Sequence, residues 1–287
     1  MNFETLAHLR DVVQSPDLAG TRYVMEEEIG RGGNGVVYRG VDTALGRTVA
    51  LKVMAAGESS EARITARLEH PGIVPVHEAG TLPDGRSYYA MRLVEGARLD
   101  EFRAGTASLP ARLRVFLKIL DPVAYSHSRG VIHRDLKPEN IMTGKFGEVL
   151  ILDWGAAKTA ESSAGGAYAI GTQGFMAPEQ ARGVATERSD IFALGAILLW
   201  LTADLMAPKA LRAIAAKASA AVAEDRYGTV EELAADVARF LDGDPVTAYR
   251  ENVFERATRL ANRHRFVVGL LLAYLAMRGM IFLALRR

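Results

Sequence analysis

The 287 residues are 49% hydrophobic and 24% charged, with a net charge of +1; that is enough chain for one large core or two lobes. The near-neutral balance gives no global electrostatic reason to bind nucleic acid, and no nucleic-acid partner is expected. Cysteine is absent, which excludes disulfides, thiolate nucleophiles and cysteine-ligated zinc.

Residues 1–22 mix charges with apolar residues and contain no unbroken apolar core, so they read as an N-terminal extension rather than a cleavable signal peptide. Residues 23–95 read as strands: YVMEEEIG, GVVYRGV, TVALKVM, IVPVHEAG and SYYAMRLV are short, β-branched or aromatic, and separated by Gly, Asp or Pro. One helix is expected among them, from Ser60 to Leu68, ending before His70-Pro71. After Gly96 the period changes. Leu113, Phe116, Leu117 and Leu120 mark one helical face, and Pro122 is expected to kink or end that helix. Ile191 to Leu201 is apolar all round, as in a buried helix. Thr229 with Glu232 has the spacing of a capping box, opening a helix that carries Val230, Leu233, Val237 and Phe240. Asp242 to Pro245 closes it. The pattern predicts an α+β chain, with a small β-rich lobe over 23–95 and a larger helical lobe over 96–245.

The glycines Gly30, Gly32 and Gly35 lie between two strands. Glycines let a backbone approach phosphate closely and present its N–H groups, although a turn of this kind without a ligand is commoner. A dinucleotide site needs a helix after the loop, whereas a second strand follows here, so strand–loop–strand over nucleotide phosphates is the better reading. Lys52 lies on the next strand, Val49-Ala50-Leu51-Lys52. Alone it would be a solvated strand residue. Behind the glycine loop it is placed to reach the α- and β-phosphates, with Glu61 as its ion-pair partner.

Val131-Ile132-His133-Arg134-Asp135-Leu136-Lys137-Pro138-Glu139-Asn140 decides between these readings. At this run the chain resembles the eukaryotic-like serine/threonine protein kinases of bacteria, and matches their catalytic loop at every defining position. The resemblance implies a two-lobed protein-kinase-like fold, ATP and Mg²⁺ as cofactors, and protein serines and threonines as substrates. It implies that Asp135 orients the substrate hydroxyl and takes its proton, that Lys137 neutralises the γ-phosphate, and that Asn140 ligates Mg²⁺. Asp153, in Leu152-Asp153-Trp154-Gly155, would hold the second metal contact; Trp154 stands where relatives carry Phe. Gly171 to Glu179 resembles the peptide-docking segment, with Glu179 expected to pair with Arg226. Asp190 would brace the catalytic-loop backbone. Met91 would flank adenine, the backbone of Arg92 to Val94 would bond it, and Val37, Ala50 and Met142 would enclose the ring. Arg134 calls for an anion, which a phosphorylated loop could supply at Thr159, Ser162, Ser163, Tyr168 or Thr172; Thr172 is expected to touch Asp135 and Lys137 instead.

The resemblance runs from Tyr23 to Asp244 and fails in two places. Only eight residues separate Lys52 from Glu61, and the stretch after the buried helix is short. A short helix is weak on its own, so a partner or a second copy at the small lobe is expected to support it. A membrane-anchored pseudokinase or ATP-binding signalling scaffold is the alternative to an active enzyme, and a small-molecule phosphotransferase is a third reading.

Residues 246–265 read as a juxtamembrane segment. Residues 266–285, FVVGLLLAYLAMRGMIFLAL, carry Arg278 as their only charge. Twenty helical residues span about 30 Å, the thickness of a hydrocarbon core. Arg278 costs about 2.5–3.5 kcal/mol, against about −3 to −7 kcal/mol from the Leu, Ile, Val and Phe residues. One C-terminal transmembrane helix is therefore expected, contacting membrane lipid, with a buried helix of the kinase lobe as the alternative. Arg256, Arg259, Arg263 and Arg265 precede it, which orients the kinase domain to the cytoplasmic face of the cytoplasmic membrane.

Overall fold

A computed structural model of the chain describes residues 16–32, 35–56, 60–106, 108–159, 172, 174–263 and a few positions between 269 and 281. Five strands form one antiparallel sheet: β1 (Tyr23–Gly32), β2 (Gly35–Asp42), β3 (Arg47–Ala56), β4 (Val76–Thr81) and β5 (Arg86–Arg92), in the order β1-β2-β3-β5-β4. Period-two alternation gives the sheet two different faces. Val36, Tyr38, Leu51, Val53 and Tyr88 pack together on one face. Lys52 pairs with Val37 on β2 and with Tyr89 on β5, which puts these three on the opposite face with Ala50 and Met91. Gly35 sits at φ 139°, and a Cβ there would overlap the Val53 carbonyl; glycine is required at that position for close packing of the strands as well as for any ligand.

Helix α1 (Ser60–Ala66) lies against the Lys52 face, where Ala62 packs with Met54 and Tyr89. It ends short of the expected Leu68, because the chain turns through Leu68 N to Thr65 O and into the His70–Ile73 turn. The link 57–59, part of the short Lys52–Glu61 connection, lies outside the described residues.

The helical lobe follows β6 (Gly96–Arg98) and α2 (Leu99–Gly105). Its core is α3 (Leu109–Ser128), α4 (Glu187–Thr202), α5 (Lys209–Ala218) and α6 (Val230–Asp242). Phe116, Leu120, Ile191, Leu194, Ile214 and Leu233 are each 0–1% exposed within one cluster; burial at about 1.5–3 kcal/mol per such side chain makes this the main stabilising mass. Pro122 does not end α3, which continues to Ser128. The ring is buried against Gly72, where any larger residue would collide with it, so tertiary packing offsets the missing hydrogen bond. At the start of α6, Thr229 accepts from Glu232 N at 3.3 Å. Glu232, however, reaches Gly228 N at 2.8 Å rather than the Thr229 amide, so the expected box closes one residue early.

The catalytic-loop sequence lies between β7 (Val131–Ile132) and β8 (Ile141–Gly144), and Asp153 follows β9 (Val149–Ile151). β6, β8 and β9 form a three-stranded sheet, and β10 (Lys158–Thr159) pairs with β7. The packed lobe runs on past Pro245: Val246 joins the core, and buried Asp236 accepts from Thr247 N and Ala248 N at 2.8 and 3.0 Å. Helix α7 (Val253–Arg263) comes next, capped by Asn252, whose Oδ1 accepts from Glu255 N at 2.8 Å. Among the described residues no helix is long and apolar enough to cross a membrane. The expected span 266–285 lies mostly outside them.

Candidate active site

Lys52 is 5% exposed and Glu61 4%, so either charge alone would be strongly disfavoured there. The two meet through Lys52 Nζ at 2.7 and 2.8 Å from the Glu61 carboxylate oxygens. Asp153 Oδ1 takes a third Lys52 hydrogen bond at 2.9 Å. Burial opposes the charge on Lys52, but Glu61 and Asp153 outweigh it and hold the ammonium above its ordinary value. Burial would likewise raise Asp153, yet Lys52 draws it below the usual range, so it stays ionised. The Tyr89 hydroxyl donates to Glu61 Oε1 at 2.7 Å. Tyr89 was not anticipated from the sequence; its place two residues before Met91, on the Lys52 face, is the signal that could have found it.

On the helical lobe, Asp135 lies among three donors. Lys137 Nζ is 2.7 Å from Asp135 Oδ2, and Thr172 Oγ1 donates to Oδ1 at 3.1 Å. Lys137 also donates to Thr172 Oγ1 at 2.8 Å, as expected for that threonine. Asn140 spends its NH₂ on the Asp135 carbonyl and carboxylate at 2.8 and 3.3 Å. That leaves Asn140 Oδ1 and Asp153 Oδ2 without protein hydrogen bonds among the described residues. Both are hard oxygen donors, and one carboxylate with one amide oxygen suits Mg²⁺ that takes its remaining ligands from phosphate and water.

The backbone here is held against its own preference. Arg134 and Asp153 have φ of 70° and 56°, each costing roughly 1–3 kcal/mol in a non-glycine residue. Asp190 supplies the restraint at Arg134, accepting from His133 N at 2.8 Å and Arg134 N at 2.9 Å. His127 Nε2 donates to it at 2.8 Å and Gln180 donates to the Arg134 carbonyl. Neither residue carries a local sequence signal, since each acts only through the folded loop. His133 Nε2 donates to Leu152 O at 3.2 Å while its Nδ1 accepts from Asp135 N at 3.3 Å; one neutral tautomer satisfies both. The same ring lies 4.6 Å from that of Trp154. Trp154 is buried in the position expected of the usual phenylalanine, but its indole N–H has no partner among the described residues.

Arg134 is 6% exposed; among the described residues its guanidinium gives one hydrogen bond, to Ala156 O at 3.3 Å, and its Nε has no partner. Burial holds its guanidinium below its ordinary value. Met91, Val94 and Met142 are half-buried, and Val37 and Ala50 share the Lys52 face. Gly30 and Gly32 lie at the end of β1 and Gly35 at the start of β2; the loop tip, 33–34, lies outside the described residues.

Glu179 pairs with Arg226 through two parallel bonds of 2.7 and 2.8 Å. Burial would raise the Glu179 carboxyl, but Arg226 and Ser189 draw it from 4.5 down to about 2. A lowered folded value means that this pair's stabilisation is complete above the unfolded value and is lost as pH falls toward the folded one. Urea midpoints measured at about pH 6 and about pH 3 are therefore expected to differ less in Glu179→Gln than in the parent, and the variant to be the less stable at the higher pH.

A family model described as protein kinase domain matches residues 23–234. The chain is 34% identical to serine/threonine-protein kinase PknD of Protochlamydia amoebophila, over 80% of this chain and 26% of that protein. It is 34% identical to PknD of Chlamydia felis, over 78% of this chain and 31% of that protein. A probable serine/threonine-protein kinase PknB of Bifidobacterium longum is 32% identical, over 85% and 43%. The chain thus matches less than half the length of each of these relatives.

Proposed function

The chain belongs to the protein kinase family, and from that premise we propose that it transfers the γ-phosphate of ATP to serine and threonine hydroxyls of proteins. The observation that carries this reading is the position of Thr172 Oγ1, held between Asp135 and Lys137 at 3.1 and 2.8 Å. A substrate hydroxyl in the same place would have a carboxylate for its proton and an ammonium beside the incoming phosphoryl group. Lys52, fixed by Glu61, would orient the α- and β-phosphates. Asp153 and Asn140 would hold Mg²⁺, which when bound offsets charge on the transferring phosphates. Val37, Ala50, Met91, Val94 and Met142 would take adenine. Phosphoamino-acid analysis of a generic protein acceptor tests the class: label on serine and threonine is expected, and label confined to tyrosine would refute it.

Arg134 is a buried cation with no carboxylate within ion-pair distance among the described residues, and a phosphate on the loop after Asp153 would supply the missing charge. Autophosphorylation at Thr159, Ser162 or Ser163 is expected. Mass spectrometry with Asp135→Asn as control checks it, and an active protein without phosphate between 155 and 171 would exclude it.

The run 266–285 is proposed as a single membrane anchor with the kinase domain on the cytoplasmic side. Its described apolar positions Leu270, Tyr274, Leu275, Met277 and Ile281 are each more than half exposed, which argues against a helix packed into the lobe. The protein is expected to sediment with membranes and resist high salt and alkali; recovery in the soluble fraction would refute the anchor.

A further inference from the structure

The geometry points to a second membrane contact: α7 and the turn between α4 and α5 form a surface that docks on an anionic lipid headgroup layer. It extends the anchor reading, because it concerns the end of the helical lobe from which residues 266–285 depart. Met206, at the tip of that turn, is fully exposed, and Phe254 in the first turn of α7 is 84% exposed. Val253 beside it and Ala257 one turn later are also exposed, so α7 turns an apolar stripe away from the lobe. Lys209 Nζ bonds Glu255 Oε1 at 3.1 Å, tying the base of the turn to α7. Next to that bond lies an open groove of about 540 Å³, lined by Leu199, Leu205, Met206, Pro208 and Arg212.

The charges around this apolar tip favour lipid as the occupant. The carboxylates of α7 and its approach are already partnered: Glu255 by Lys209 and Tyr249, and Glu251 by Arg259 at 2.9 Å. Arg212, Arg250 and Arg256 are exposed and have no carboxylate within 4.0 Å among the described residues. An exposed aromatic and aliphatic stripe bordered by unpaired arginines matches the chemistry of interfacial helices on anionic leaflets. A protein partner would be expected to answer those arginines with carboxylates, whereas phosphodiester headgroups answer them anywhere along the surface.

The absence of cysteine allows a clean test on the full chain. Phe254→Cys and, as control, Phe146→Cys on the β8–β9 turn would carry an environment-sensitive fluorophore in vesicles containing anionic lipid and a brominated-acyl lipid. The label at 254 is expected to be blue-shifted and quenched about threefold or more over that at 146, and Arg212→Glu with Arg256→Glu to remove most of the difference. Alkali extraction of the same vesicles reads the anchor separately. Protein that survives alkali while the 254 label stays in water overturns the docking surface and leaves the anchor standing. A quenched label on protein that alkali releases supports docking without the anchor. A label blue-shifted but indifferent to brominated lipid means that a second copy covers the face and overturns the lipid assignment, and failure to float with vesicles overturns both.

Discussion

Asp135→Asn is expected to lower phosphoryl transfer by about 10²–10⁴-fold while leaving Mg-ATP affinity nearly unchanged. The carboxylate is placed to act on the acceptor: it receives the Thr172 hydroxyl at 3.1 Å and the Lys137 ammonium at 2.7 Å, and among the described residues it makes no hydrogen bond or ion pair with Lys52 or Asp153. Asparagine keeps the shape and can still accept from Lys137, so the loop held by Asp190 should survive. What disappears is the ability to take the proton. A variant retaining most of the parent rate would remove Asp135 from the role of base.

Asp153→Ala is expected to fail differently, losing transfer by about 10²–10³-fold and weakening Mg-ATP binding as well. Asp153 is ionised beside Lys52 and has a second oxygen without a protein hydrogen bond among the described residues, so in the proposed reaction it would meet the metal before reaction rather than during it. Lys52→Ala should lose transfer too, but with an additional cost. Among the described residues it leaves the buried Glu61 carboxylate with Tyr89 as its one side-chain hydrogen-bond partner, and an uncompensated buried charge costs about 3–5 kcal/mol of stability. Calorimetric titration with Mg-ATP, paired with urea unfolding, separates the two variants. Unaltered nucleotide binding in Asp153→Ala would contradict the assignment of that residue to the metal.

The residues proposed to do the chemistry were legible because they stand in short runs whose spacing is set by local backbone: Asp135, Lys137 and Asn140 span one loop, and Lys52 sits on the strand that follows the glycine-bearing pair. The Glu179–Arg226 pair was legible through the two segments that carry it. The supports were not. Tyr89, His127 and Gln180 look like ordinary strand or helix residues until folding brings them to Glu61, Asp190 and Arg134. Arg112 is similar: it is 2% exposed, bonds the Leu201 carbonyl at 2.6 Å and pairs with Asp204, closing the short stretch after α4 through contacts remote in sequence. Pro122 shows the limit of a local rule. Alone it predicts a kink or an end, but burial against Gly72 lets α3 run through it.

The most direct measurement is transfer itself. The full chain, incubated with γ-labelled ATP, Mg²⁺ and a protein acceptor, is expected to place label on serine and threonine, in a reaction abolished by chelating the metal and by Asp135→Asn. Tight Mg-ATP binding with no label transferred to the acceptor or to the chain itself would contradict the account, and would make the protein a nucleotide-binding scaffold.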